Sequence, residues 1–138
     1  MVIEVYIDGA SAGNPGPSGI GILIKLERGQ TEEIALPLGS TTNHHAEFQA
    51  LITAMHICID KHYQAISVRT DSQLVERAVE KEYVKNKSFQ AYLDEVLKLK
   101  SHFSLFFIKW IPSAENKKAD HLARSAIQKA IQQQKRRE

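Results

Sequence analysis

The chain has 138 residues, 43% of them hydrophobic and 25% charged, with a net charge of +2. That length and composition fit one globular domain and exclude a chain disordered throughout. No stretch approaches the roughly 20 consecutive apolar residues of a membrane-spanning helix. The single cysteine, Cys58, excludes an internal disulfide or a cysteine metal cage.

Met1 to Val5 carries an acid and no basic n-region, so it reads as the start of a strand and not as a signal peptide. A reducing cytoplasm is the expected compartment. Val2 to Asp8 alternates Ile3, Val5 and Ile7 against Glu4, Tyr6 and Asp8, the period of a strand. Gly13-Asn14-Pro15-Gly16-Pro17 is dense turn chemistry. It lacks the Gly-Lys-Ser/Thr of a P-loop and joins two strands. Gly19 to Leu26 and Glu32 to Leu38 supply a second and third strand, with Arg28-Gly29-Gln30 as the hairpin turn.

The period then changes. Asn43 is a candidate helix cap, and Phe48, Leu51, Ile52, Met55 and Ile59 recur at helical spacing. Cys58 falls close to that phase and reads as a small buried hydrophobe. Ala65 to Thr70 is a fourth strand. Asp71 or Ser72 caps a helix whose apolar positions are Leu74, Val75, Ala78 and Val79. A further helix spans Ser88 to Lys100, with Phe89, Tyr92, Leu93, Val96 and Leu97 inward. Phe103 to Ile111 is a fifth strand, stopped by Pro112, with Trp110 in its core or on its rim. Ser113 is the candidate cap of a last helix with an apolar stripe of Ala119, Leu122, Ala123, Ala126, Ile127 and Ala130.

The order β-β-β-α-β-α-α-β-α predicts an α/β fold. Strand four follows a helical crossover and so runs parallel to an earlier strand. Placing it beside strand one gives a mixed five-stranded sheet of order 3-2-1-4-5, its first three strands antiparallel, flanked by helices. Residues 1–130 form the domain and 131–138 a basic tail. From Lys117 to Arg137, seven basic residues face one acid, Asp120, either a phosphate-attracting face or a solvated helix end.

Four acids fall at telling places in this scheme. Asp8 is on strand one and Asp71 ends its parallel neighbour. Glu47 and Asp120 sit near the starts of two helices. Taken singly each has a structural explanation: strand-end turn, helix cap, dipole complement, or partner of Arg124. Brought together they repel unless cations lie between them. All-oxygen ligands suit Mg²⁺ or Mn²⁺, and two such ions about 3.5–4 Å apart clamp an in-line phosphoryl displacement.

Several segments together resemble the ribonuclease HI family over roughly residues 1–130. They are Tyr6-Ile7-Asp8-Gly9-Ala10-Ser11 through Pro17, Thr41-Thr42-Asn43-His44-His45-Ala46-Glu47, Thr70-Asp71-Ser72-Gln73, and Asn116-Lys117-Lys118-Ala119-Asp120-His121-Leu122-Ala123-Arg124. The resemblance implies an RNase H-like fold and an endoribonuclease that cuts the RNA strand of RNA–DNA hybrids. It implies two Mg²⁺ or Mn²⁺ ions held by Asp8, Glu47, Asp71 and Asp120 as catalytic acids, and products with a 5′-phosphate and a 3′-hydroxyl. Asn14, Thr42, Asn43 and Gln73 would line the groove for the hybrid, through phosphates, base edges and 2′-hydroxyls. A monomer with no organic cofactor and no membrane partner is expected.

The sequence departs from the family in three places. Pro112-Ser113-Ala114-Glu115 holds no histidine where many members carry one on a mobile loop. Arg77 to Ser88 is too short and too mixed in charge for the basic, Trp-rich protrusion that many carry. Ser40 stands where an arginine often precedes the Thr-Asn pair. These departures motivate an alternative, a duplex-binding protein of the same fold with weak or no turnover. A nuclease for DNA junctions is a third reading, disfavoured by the groove residues. His44, His45 and His121 are expected in hydrogen-bonding or surface roles, with His121 a candidate for part of the missing loop histidine's work.

Overall fold

The computed structural model describes residues 1–137. The strands are β1 (Ile3–Ser11), β2 (Gly16–Lys25), β3 (Thr31–Thr41), β4 (Ala65–Thr70) and β5 (Leu105–Trp110). The helices are α1 (Asn43–Asp60), α2 (Gln73–Lys81), α3 (Gln90–Lys100) and α4 (Lys117–Arg137). The sheet order is β3-β2-β1-β4-β5, with β1–β2 and β2–β3 antiparallel and β1–β4 and β4–β5 parallel. This is the topology the sequence predicts.

Alternation along the strands assigns the two faces. Val5, Ile7, Ile20, Ile22, Ile24, Ile66 and Val68 are almost completely buried and form the main core with Phe48, Leu51 and Met55 of α1. Cys58 lies in this core, and burial pushes its thiol up to about 12. Helix α4 covers the other face across β1, β2 and β3. All six residues of its predicted apolar stripe are buried.

The hairpin from β2 to β3 turns through Arg28 (φ 61) and Gly29 (φ 76), with Gln30 N donating to Glu27 O at 3.3 Å. Successive positive φ values are what a type I′ turn needs to match the strand twist. Pro17, without an N–H, marks the register shift between β2 and β3, leaving Gly39 unpaired between Leu38 and Ser40.

Two helix caps and the tail differ from expectation, α3 begins at Gln90, and the ends of β1, β2, β3 and β5 shift by one to three residues. Thr42, not Asn43, caps α1, its hydroxyl accepting from His45 N at 3.5 Å. Asn43 is drawn away because its Oδ1 accepts from Ser11 N at 2.8 Å, tying α1 to the end of β1. Ser113 does not cap α4 but opens a 3-10 turn over Ser113–Glu115, and the helix begins after Asn116. Between Asp71 and Ser72, the latter caps α2 by accepting from Val75 N at 3.1 Å. Helix α4 runs to Arg137, so residues 131–137 of the predicted tail continue the helix; Glu138 lies outside the described residues.

Candidate active site

Asp8 lies in β1 directly opposite Gly21 of β2, so both face α4. Gly21 lets that helix come down onto the sheet. A Cβ there would stand 2.1 Å from Ala119 O and 2.6 Å from Ala123 N. Gly19 performs the same service one turn on, where a Cβ would meet Ala123 O at 2.6 Å. The close approach carries Asp120, next to Ala119, against Asp8. On the opposite face, a Cβ at Gly9 would lie 2.3 Å from the carbonyl of Ala46 and 2.5 Å from Glu47 N. This brings the first turn of α1, and with it Glu47, to the strand that holds Asp8.

The sheet register brings the third acid. Thr70 pairs with Ile7 across β1 and β4, so the next residue, Asp71, arrives level with Asp8. Its turn is pinned from three sides. Ser72 N donates to Thr70 Oγ1 at 3.0 Å, Ile111 N donates to Thr70 O at 2.8 Å, and Trp110 Nε1 donates to Asp71 O at 3.2 Å.

The electrostatics report the convergence. Asp8 is 9% exposed, and its carboxyl is raised from 3.8 to about 8. Burial is the largest cause. The Asp71 charge follows, then a shared hydrogen bond with Asp120 and the Asp120 charge, and last the charge of Glu47. Each of the other three acids thus acts on Asp8, Glu47 least, as suits its arrival from the other face. Two also have partners outward. His44 Nδ1 is 3.2 Å from Glu47 Oε2, and Arg124 Nε is 3.1 Å from Asp120 Oδ2.

Among the described residues no three His, Cys, Asp or Glu side chains are grouped so as to hold a metal ion as they stand. The donor set still fits a hard divalent cation. Mg²⁺ keeps several waters and takes only one or two carboxylates directly, and a buried acid under three like charges gains from a cation between them.

The proposed groove residues flank this cluster. Asn14 is exposed on the β1–β2 loop, Thr42 and Asn43 open α1, and Gln73 is the exposed first residue of α2. His45 faces inward, with its Nδ1 3.0 Å from Tyr92 Oη and its ring tilted on Phe89. His121 is exposed on α4.

Over residues 6–126 the chain matches the model of the reverse transcriptase-like family. It is similar to the crystal structure of RNase H1 from Halobacterium salinarum, with 32% identity over 94% of this chain and 99% of that one and a TM-score of 0.88. The chain belongs to the ribonuclease H family. Another ribonuclease H similar to it is LC11-RNase H1, from a compost metagenome, solved with an RNA/DNA hybrid: 34% identity, 94% and 99% coverage, TM-score 0.85. EbsB of Enterococcus faecalis, named as a hydrolase, is 40% identical over 93% of this chain and 96% of its own length.

Within this ribonuclease H fold, several residues that shape the site were not singled out from sequence. Asn116 is 1% exposed and donates from Nδ2 to Ile7 O at 2.8 Å, joining the start of α4 to the residue before Asp8. Its Oδ1 has no hydrogen-bond partner among the described residues. Gly19 and Gly21 read as ordinary strand glycines, and Gly9 as part of a strand-end turn, until the helices are in place. The Gly19-x-Gly21 spacing, two small residues on one strand face, is the available signal of close helix approach. Ser11 is a further such residue: its hydroxyl donates to Thr41 O at 2.8 Å and so closes the β1–β3 end of the site.

Proposed function

We propose that this chain is an endoribonuclease that hydrolyses the RNA strand of RNA–DNA hybrids and leaves 5′-phosphate and 3′-hydroxyl ends. The observation that carries the reading is Asp8, buried in the sheet and driven upward by Asp71, Asp120 and Glu47 together. LC11-RNase H1, solved with an RNA/DNA hybrid, supports the substrate class.

Asp8, Glu47, Asp71 and Asp120 would hold two Mg²⁺ or Mn²⁺ ions. The chemistry such ions would supply there is activation of a water and stabilisation of the leaving oxygen in an in-line displacement. The chain's own part is positioning. Asp8 and Asp71 are fixed by strand register and Asp120 by the descent of α4. Thr42 Oγ1 accepts from His45 N on one of its two lone pairs and keeps its O–H to donate. Asn43 turns Oδ1 to Ser11 N and so leaves its NH₂ free to donate. Both therefore present donors, which suit phosphate oxygens, 2′-hydroxyls and base acceptors. Asn14 and Gln73 extend this row on either side. A monomer acting in the cytoplasm completes the reading, in keeping with a lone, buried cysteine.

The test is digestion of a labelled RNA–DNA hybrid with Mg²⁺ or Mn²⁺ by wild type and by Asp71→Asn. Wild type is expected to nick the RNA strand, and the variant to lose activity by orders of magnitude. Equal cleavage by both refutes the mechanism. A second reading, duplex binding with weak turnover, is favoured by one feature. The connection from α2 to α3, residues 82–89, holds only a single 3-10 turn over Lys87–Phe89, with no basic protrusion. Binding without cleavage in excess Mn²⁺ would select it.

A further inference from the structure

The four acids are not held alike. Asp8 and Asp71 arrive on or just after strands, and among the described residues no basic side chain pairs with either. Glu47 and Asp120 arrive on helices, and each meets a basic residue of its own helix, His44 at Glu47 and Arg124 at Asp120. His44 reaches one oxygen of Glu47. Arg124 reaches both oxygens of Asp120: its Nε donates to Oδ1 at 3.2 Å and stands 3.1 Å from Oδ2. The near-equal distances put that N–H in the notch between the two carboxylate oxygens.

Asp120 is also tied to Asp8 by their shared hydrogen bond. Its carboxylate therefore has a neighbour on each side before any ion arrives. A Mg²⁺ ion closes on a carboxylate oxygen to about 2.0–2.1 Å. It cannot share the notch with a guanidinium, and it meets a like charge beside it. The hold of Arg124 is also light. Its side chain is 75% exposed and that of Asp120 38%, and it gives Asp120 a single N–H instead of its fork. Solvent screens such a pair, so a divalent ion can displace it.

We propose that Arg124 is an internal counter-ion that fills the notch of Asp120 in the metal-free chain and competes there with the divalent ion, so that it sets the metal concentration the site needs. The inference rests on the metal reading above. Two effects of opposite sign set its direction. By steadying Asp120 on its helix, Arg124 favours ion binding by about twofold at most, the worth of an i, i+4 pair. By filling the notch and repelling the ion, it opposes binding by about three- to tenfold. The second effect is larger, so Arg124 weakens ion binding. It is a positioning residue in this role, acting through Asp120.

The experiment measures free Mn²⁺ by electron paramagnetic resonance, at fixed pH and ionic strength, in titrations of wild type, Asp120→Asn, Arg124→Gln, Arg124→Lys and the double variant Asp120→Asn with Arg124→Gln. Exposed as it is, Arg124 can be replaced without disturbing the core. Wild type is expected to bind Mn²⁺ more tightly than Asp120→Asn. Arg124→Gln should bind it about three- to tenfold more tightly than wild type. In the Asp120→Asn background the same substitution should gain about twofold or less, because the charged notch is gone. Arg124→Lys, which keeps the charge and loses the Nε–H, should fall between wild type and Arg124→Gln. The Mg²⁺ concentration for half-maximal cleavage should drop in Arg124→Gln by the same factor, with KM for the hybrid at saturating metal unchanged.

Wild type that binds no Mn²⁺ would sink the metal reading itself. With Mn²⁺ bound, unchanged or weaker binding by Arg124→Gln overturns the counter-ion alone and leaves Arg124 a brace for the helix. An equal gain in both backgrounds does the same, since it marks a general field and not competition at Asp120. Equal Mn²⁺ binding by wild type and Asp120→Asn also overturns it, by taking Asp120 out of the ion's reach.

Discussion

Replacing Asp8 with Asn isolates the electrostatic cost of the acidic cluster. In the folded, metal-free chain the carboxyl ionises near 8, against an ordinary value of 3.8. Between these values the folded chain holds a proton that the unfolded chain has released. The folded state is therefore favoured by acid, with the benefit fully present below about pH 4 and lost as pH rises through about 8. The slope is at most about 1.4 kcal/mol per pH unit. The carboxamide of the variant would keep a donor toward Asp120 and remove the charge. In EDTA, Asp8→Asn is expected to exceed wild type in stability by roughly 2–4 kcal/mol near pH 7.5, with the gap closing near pH 4.5. Urea melts at several pH values measure it. Added Mg²⁺ should stabilise wild type more than the variant and narrow the gap. Parallel pH curves for the two proteins, or a variant less stable than wild type near pH 7.5, would refute the reasoning.

Other substitutions probe how the acids are positioned. Gly21→Ala puts a Cβ 2.1 Å from Ala119 O and must lift α4; a loss of about 1–3 kcal/mol is expected in melts, with cleavage reduced well beyond the unfolded fraction. Asn116→Ala removes the buried hydrogen bond to Ile7 O, at a cost of about 1–3 kcal/mol by the same melts. Trp110→Phe removes the donor to Asp71 O at an exposed rim; stability should fall by about 1 kcal/mol or less, while kcat falls with little change in KM.

The topology was legible because the periodicity is clean. Strands alternate through Ile3, Val5 and Ile7, and the six-residue stripe of α4 is buried as read. Right-handed crossovers then leave little choice about where β4 lies. Helix starts were less legible, because several polar residues compete for one capping role. Thr42 took it at α1 since Asn43 was engaged by Ser11 N, a partner 32 residues away. At α4, Ser113 lost it to a 3-10 turn that no local pattern distinguishes from a helix start. Positions of the acids along the chain could be read, but not the reason they meet. That reason lies in Gly9 and Gly21, whose missing side chains matter only once a helix backbone sits against them. The burial of Asn116 was equally hidden, since its partner, Ile7 O, is 109 residues away.

An anomalous difference map from a crystal soaked in Mn²⁺ bears most directly on the claim that these carboxylates serve a shared cation site. The account predicts scattering peaks bounded by Asp8, Asp71, Glu47 and Asp120, lost in the Asp8→Asn protein. Manganese bound only elsewhere, or peaks that survive the substitution unchanged, would contradict it.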